Sequence, residues 1–189
     1  MPATTILVLV GSLRGGSTNR QLAETAAELA PADVTLTIYP SLADLPFYDE
    51  DLDLEGSAPE SADAFRAAVA AADALLVVTP EHNGTIPAVL KNAIDWASRP
   101  FGVGALTQKP VAVIGSAFGQ FGGVWAHDEA RKALGIAGAS VIDDVTMSVP
   151  GSLVRFAETH PRDDAEVVEQ LRAVVTAVAA RATASAPAA

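Results

Sequence analysis

Residues 4–30 read TTILVLVGSLRGGSTNRQLAETAAELA. Thr4–Val10 is an unbroken run of apolar and β-branched residues. A strand covered on both faces has this pattern, whereas a strand with one wet face alternates. The run stops at Gly11. A short loop of glycines and hydroxyl residues follows, and Ser17–Ala30 then reads as a helix. A buried strand that feeds a helix through a small-residue loop is the opening unit of an α/β protein.

The unit recurs along the chain. Val34–Tyr39 is a second strand, followed by the long loop PSLADLPFYDEDLDLEG. Ser57-Ala58-Pro59-Glu60 reads as a capping box with proline in the first turn, opening a helix to Ala72. Ala74–Thr79 is a third buried strand. Ile86–Ser98 is a short helix, with Thr85 as its N-cap and Pro87 in its first turn. Pro110–Ser116 is a fourth strand, Val124–Leu134 a helix, and Ala139–Val145 a fifth strand. Asp163–Ala180 is a last helix with Val167, Leu171, Val174 and Val178 as its apolar stripe. Five strands that alternate with helices predict a parallel sheet with helices on both faces. Five rather than six strands favour a flavodoxin-like three-layer sandwich in the order 2-1-3-4-5. Residues 1–180 are expected to form one domain, and 181–189 a disordered tail.

The whole chain has 189 residues and a formal net charge of −11. That acidity argues against nucleic acid or an anionic membrane as partner. Any anionic ligand must then be held by local groups. There is no cysteine, so disulfides and thiolate chemistry are excluded. The mean hydropathy is positive, but no apolar run approaches the about 18 residues of a membrane span. The N-terminus MPATTILVLV lacks the basic start and cleavage site of a signal peptide. A cytoplasmic protein is expected.

Ligands of open parallel sheets bind beyond the carboxyl ends of the strands, where the strand order reverses. Three loops qualify: Gly11–Asn19, Pro80–Thr85 and Ser116–Gly123. The first lacks GxxxxGK[ST], and its glycines, Gly11, Gly15 and Gly16, do not match GxGxxG. It still offers Ser12, Arg14, Ser17, Thr18, Asn19 and the amides of a helix N-terminus. Those groups suit one anion, such as a phosphate. They equally suit an ordinary strand-to-helix turn with Ser17 as N-cap. In the second loop, Gly84 allows close backbone approach or a positive φ. Its amides suit the edge of a planar heterocycle. Glu81 and His82 read either as solvated residues or as an acid/base pair. In the third loop, SAFGQFGGV, Phe118 and Phe121 read as core plugs or as walls for a flat ligand. The run Asp49-Glu50-Asp51, with Asp53 and Glu55, reads as a solvated loop ahead of a helix rather than a metal site. His127 and His160 lack metal-ligand spacing and are expected at the surface.

Three segments together, GSLRGGSTN, TPEHNGTIPAVLKNAIDWASRP and GSAFGQFGG, closely resemble the NADPH-dependent FMN reductase family. That flavodoxin-like group includes bacterial quinone and chromate reductases and relatives of azoreductases. The resemblance spans Ile6 to Val145. It implies noncovalent FMN, with NADPH or NADH as a transient co-substrate. It also implies a small-molecule acceptor and a homodimer or homotetramer. It places Ser12, Arg14, Ser17 and Asn19 at the FMN phosphate. Pro80, Glu81, Asn83 and Gly84, with His82 among them, would run along the ribityl chain and ring edge. Ser116, Gly119 and Gly122 would close the far side. Lys91, Asn92, Asp95 and Trp96 match the helix that contributes to the family's dimer interface. Three positions depart from the pattern: His82 for a common tyrosine, Trp125 for a frequent arginine and His127 for a frequent glutamine. The flavin would carry the chemistry, with no catalytic side chain. A flavodoxin-like carrier of single electrons between proteins is the rival expectation.

Overall fold

The computed structural model describes residues 3–54 and 56–185. Five strands pair in parallel in the order β2-β1-β3-β4-β5. They are β1 (Thr4–Val10), β2 (Val34–Ile38), β3 (Ala74–Val78), β4 (Pro110–Ser116) and β5 (Ser140–Val149). Val8 pairs with Ile38 on one side and Leu76 on the other.

Alternate strand residues feed two cores. Ile6, Val8, Val10, Leu76 and Val78 face α1 (Thr18–Glu28) and α6 (Ala165–Ser185). Leu7, Leu9, Leu75 and Val77 face α2 (Glu60–Ala71), α3 (Ala88–Ala97) and α4 (Val124–Ile136). The central strands are therefore apolar throughout, because both faces are covered. The stripe Val167, Leu171, Val174 and Val178 of α6 is buried, as its spacing predicts. That helix runs to Ser185, beyond the expected boundary at Ala180. Residues 186–189 of the expected tail lie outside the described residues.

Several elements begin or end differently from the sequence expectation. Ser57 caps no helix. Its hydroxyl turns back to the Leu54 carbonyl, and Pro59 takes the N-cap of α2; Glu55 lies outside the described residues. Thr85 is likewise not a cap. Proline disfavours the helical region for the residue before it, so Ile86 does not open the helix, and Pro87 itself stands as N-cap with ψ 144°. Thr85 instead donates a hydrogen bond to Glu129 of α4.

The fifth strand continues past Val145 to Val149 through a large bulge. Val111 pairs with Val141, but the next registered pair is Val113 with Thr146. Inside the bulge Ile142 and Val145 stay in the core, and Arg181 holds Asp144 at 2.7 Å. Arg131 of α4 reaches the Val113 carbonyl at the break, 2.8 Å away. The strand then leads into a short helix, α5 (Ser152–Arg155), which the sequence reading did not contain.

The long loop after β2 is fixed to α3. Asn92 accepts from the Tyr48 amide at 2.8 Å and donates to the Pro46 carbonyl at 2.9 Å. The Trp96 indole donates to the same carbonyl at 2.7 Å. Asp53 leaves the solvated acidic run to make two 2.7 Å bonds with Arg66, and these hydrogen bonds hold the carboxyl below its ordinary range against the opposing effect of burial. Arg66 also lies over the Trp96 ring.

Candidate functional site

The loops after β1, β3 and β4 converge at the carboxyl end of the sheet, beside the reversal between β1 and β3. In the first loop Ser17 stands at the N-cap of α1 with extended backbone, yet its side chain caps nothing. Ser17 is only 2% exposed. The first amides of a helix have no intrahelical acceptor. Here neither they nor the Ser17 hydroxyl has a side-chain hydrogen-bond partner among the described residues. Arg14 is exposed and pairs with no carboxylate among the described residues. Ser12 is half-buried in the same loop.

Asn19 is buried and turned the other way. Its amide donates to the Ser116 carbonyl at 3.0 Å and accepts from the Ser116 amide at 2.8 Å. It ties the first loop to the third.

The second loop is a tight hairpin. His82 and Thr85 exchange two main-chain hydrogen bonds, at 2.9 and 3.1 Å. Between them Asn83 has φ 54° and Gly84 φ 79°. A two-residue turn of this kind needs positive φ at both positions, which Asn-Gly supplies. No atom approaches the place of a Gly84 Cβ within 4 Å, so the turn, not a close contact, demands this glycine. Asn83 and His82 sit exposed on the hairpin. Pro80 and Glu81 lie half-buried at its base, and one Glu81 carboxylate oxygen is fully buried without a partner. Glu81 and His82 make no hydrogen bond with each other among the described residues, so they form no acid/base pair.

In the third loop Ser116 is buried and its hydroxyl has no partner. Gly119 is exposed, and its carbonyl accepts from Gly122 at 3.1 Å. Gly122 lies against the main chain of Ser148–Pro150, where a Cβ would come within 2.7 Å. Phe118 and Phe121 are exposed, so they plug no core. Phe121 packs against Trp125 with ring centroids 5.4 Å apart.

His127 is the clearest departure from expectation. It is 0% exposed, not a surface residue. The stripe Ala126, Ala130 and Leu134 turns toward the core, and His127 lies on its flank. That helical spacing was a readable signal. Its Nε2 donates to the Thr79 carbonyl at 3.2 Å, and its Nδ1 lies 2.8 Å from the Ser148 hydroxyl. Burial pushes the imidazole down to about 4, with the Thr79 bond opposing. It is a neutral structural donor. His160 is half-buried and accepts from the Arg162 amide.

Buried polar atoms in folded proteins are nearly always paired. The unpaired Ser116 hydroxyl and Glu81 oxygen therefore point to a polar ligand at this edge. One uncommitted arginine, free hydroxyls and helix amides fit a single phosphate. The aromatic side chains beside them fit a flat ring. A phosphorylated flavin has both parts.

Residues 4–154 match the model of the NADPH-dependent FMN reductase family. The chain belongs to that family. It is 40% identical to a 2-hydroxy-1,4-benzoquinone reductase of a Burkholderia species, over 89% of this chain and 87% of the relative. It is 45% identical to a quinone reductase of Pseudomonas putida, over 68% of each. Among solved structures it resembles FerB, a flavoenzyme NAD(P)H:(acceptor) oxidoreductase of Paracoccus denitrificans. That likeness has a TM-score of 0.85 and 31% identity, over 96% of this chain and 98% of the other. The protein is thus a flavin-dependent oxidoreductase of the FMN reductase and quinone reductase type. None of its helices among the described residues is long and apolar enough to cross a membrane.

Of the four α3 residues that match the family's interface-contributing helix, two face inward. Asn92 and Trp96 are buried and hold the long loop. Lys91 and Asp95 form an ion pair on the outer face.

Proposed function

We propose that the three loops hold FMN noncovalently, its phosphate at Ser12–Asn19 and its ring between Pro80–Gly84 and Ser116–Gly122. The observation that carries this reading is the set of uncommitted donors at one sheet edge: the Ser17 hydroxyl, the α1 amides, Arg14 and the Ser116 hydroxyl. When bound, FMN supplies the redox chemistry, taking a hydride from NAD(P)H and returning two electrons to an oxidised acceptor. The protein binds, orients and shields. Gly84 and Asn83 shape the hairpin, and Glu81 presents an acceptor atom at its base. Phe118, Phe121, Trp125 and His82 leave flat groups at the mouth, against which a visiting ring can stack. No side chain there is placed to grip one substrate alone. The acceptor is therefore a small planar oxidant of the quinone kind, taken with loose specificity. The names of the relatives support that class.

Since Phe118, Phe121, Trp125 and His82 lie at one mouth, nicotinamide and acceptor would use it in turn, product leaving before the acceptor enters. The kinetics are then ping-pong. The enzyme works as a cytoplasmic homodimer, two of which can join as a tetramer. The test is anaerobic reduction of purified holoprotein by NADPH and by NADH, followed by steady-state rates with several quinones, an azo dye and free flavin. Bleaching of the flavin within seconds and parallel double-reciprocal lines are expected. Intersecting lines would reject the ping-pong order. A flavin that neither nucleotide reduces would move the protein to the class of electron carriers.

A further inference from the structure

Thr79, just past β3, is fully buried, and the bases of all three loops meet on it. Gly11 opens the first loop with its amide on the Val78 carbonyl at 2.9 Å. A Cβ there would lie 2.6 Å from the Thr79 hydroxyl. The Thr79 amide donates to Ile114 of β4 at 3.0 Å. At Gly115 a Cβ would collide with the Thr79 carbonyl oxygen and come within 2.8 Å of His127 Nε2 and 2.9 Å of Asn19 Oδ1. Both glycines are therefore fixed by the same threonine. The second loop departs from Thr79 directly, through Pro80.

Two side chains close this knot from opposite layers. Asn19, from α1, clamps both main-chain groups of Ser116. His127, from α4, takes the Thr79 carbonyl, with its other nitrogen on Ser148. A carbonyl only accepts, so Nε2 carries the proton and Nδ1 accepts from the Ser148 hydroxyl. A peptide turned by this donor cannot rotate without orphaning a buried carbonyl.

We infer that His127 is a positioning residue for the cofactor: through the Thr79 carbonyl it fixes the direction in which the Pro80–Gly84 loop leaves the sheet. It touches no ligand itself. The inference rests on the placement of FMN proposed above.

The test compares side chains that keep or lose the donor at Nε2. His127→Gln places an amide N–H at the reach of Nε2. His127→Asn reaches only as far as Nδ1, and His127→Leu keeps bulk without a donor. Leu134→Ala serves as control, because it damages the same helix in the core far from the loops. Each apoprotein is titrated with FMN by fluorescence quenching, and its fold is checked by circular dichroism and melting. His127→Gln should bind FMN within about threefold of wild type, while His127→Asn and His127→Leu bind about tenfold more weakly. Leu134→Ala should lower the melting temperature and leave FMN affinity unchanged. The inference is overturned if His127→Leu or His127→Asn binds as wild type does. It is also overturned if Leu134→Ala weakens FMN as much as they do. Should the leucine variant fail to fold, the contrast between glutamine and asparagine decides. Wild-type protein that binds no FMN would instead bring down the functional reading, a result plainly different from equal binding by all variants.

Discussion

Ser17 looked in the sequence like an ordinary cap, and its position at the head of α1 is indeed the cap position, yet its hydroxyl is unspent. Ser17→Ala or Arg14→Ala should therefore weaken FMN by about 1–3 kcal/mol, the cost of a lost bond to a charged group. Calorimetric titration of each apoprotein measures it, and wild-type affinity in both variants would contradict the phosphate placement. Asn19 was legible as a member of the same loop. Its partner was not, because Ser116 is distant in sequence and only the parallel pairing of β1, β3 and β4 brings the two together. The same holds for Thr79, which reads as one more strand residue until Gly11 and Gly115 are seen against it. His127 also carries a pH signature. Burial depresses its imidazole to about 4, the Thr79 bond opposes this, Arg131 depresses it further and Asp128 opposes. In an unfolded chain histidine titrates near about 6.5. Between those values the unfolded chain takes a proton that the native site refuses. Stability from this group is thus complete above the unfolded value and falls as pH drops toward 4, by at most about 3 kcal/mol. Urea melts of wild type and His127→Gln at intervals from neutral to mildly acid pH should show a steeper loss for wild type. Equal slopes would mean that the imidazole is not held neutral.

At the scale of elements, the five strands were legible because a doubly covered strand admits hardly any polar residue, as in β3, whose five positions are all buried. The bulge in β5 was not. Asp143 and Asp144 read as the end of a strand, and only the register with β4 reveals that the chain loops out and resumes at Thr146. Helix starts next to Pro59 and Pro87 were misplaced because a serine or threonine near a proline resembles a cap in sequence, while the proline ring itself sets where helical backbone can begin. The long loop after β2 was read as solvated. Asp53, half-buried in it, makes it an ordered wall through Arg66, and Arg66 also donates to the Trp96 carbonyl at 2.9 Å. The pair is mostly buried, with side-chain exposures of 16% and 13%. Removing one member of such a pair leaves the other unpaired in a poorly hydrated site. Arg66→Ala should cost about 3 kcal/mol and free the 40–58 segment. Denaturant melts give the first quantity, and hydrogen exchange of the 46–54 amides gives the second. Unchanged exchange would show that Asn92 and Trp96 hold the loop without the ion pair.

For the whole molecule, the telling feature is where its charge is not. The chain carries −11, so two copies repel over most of their surfaces. Between the outer sides of α3 and α4 lies an open groove of about 560 Å³. Its charged members are Lys91, Arg99 and Lys132 against Asp95 and Glu129, so this face is close to neutral. Apart from Ser98 and Thr107 the rest of its lining is apolar, and Phe101 and Ile136 on it are 85% and 75% exposed. An exposed apolar surface of this kind, rimmed by charge of both signs, suits a two-fold interface, because Lys132 or Arg99 of one copy can meet Glu129 of the other. Trp125, near the start of α4, is exposed as well. The groove therefore runs along a helix whose first residues belong to the proposed flavin mouth, and pairing there would bring two mouths toward one interface. Sedimentation equilibrium at micromolar concentration should give the mass of a dimer. Ile136→Glu together with Phe101→Glu adds like charge to both sides of the two-fold contact and should give monomer, with the melting temperature of the isolated fold lowered little, since neither side chain is in the core. Wild-type monomer across that concentration range, or a double variant that stays dimeric, would place the partner surface elsewhere, with the exposed patch of Phe118, Phe121 and Trp125 next to be changed.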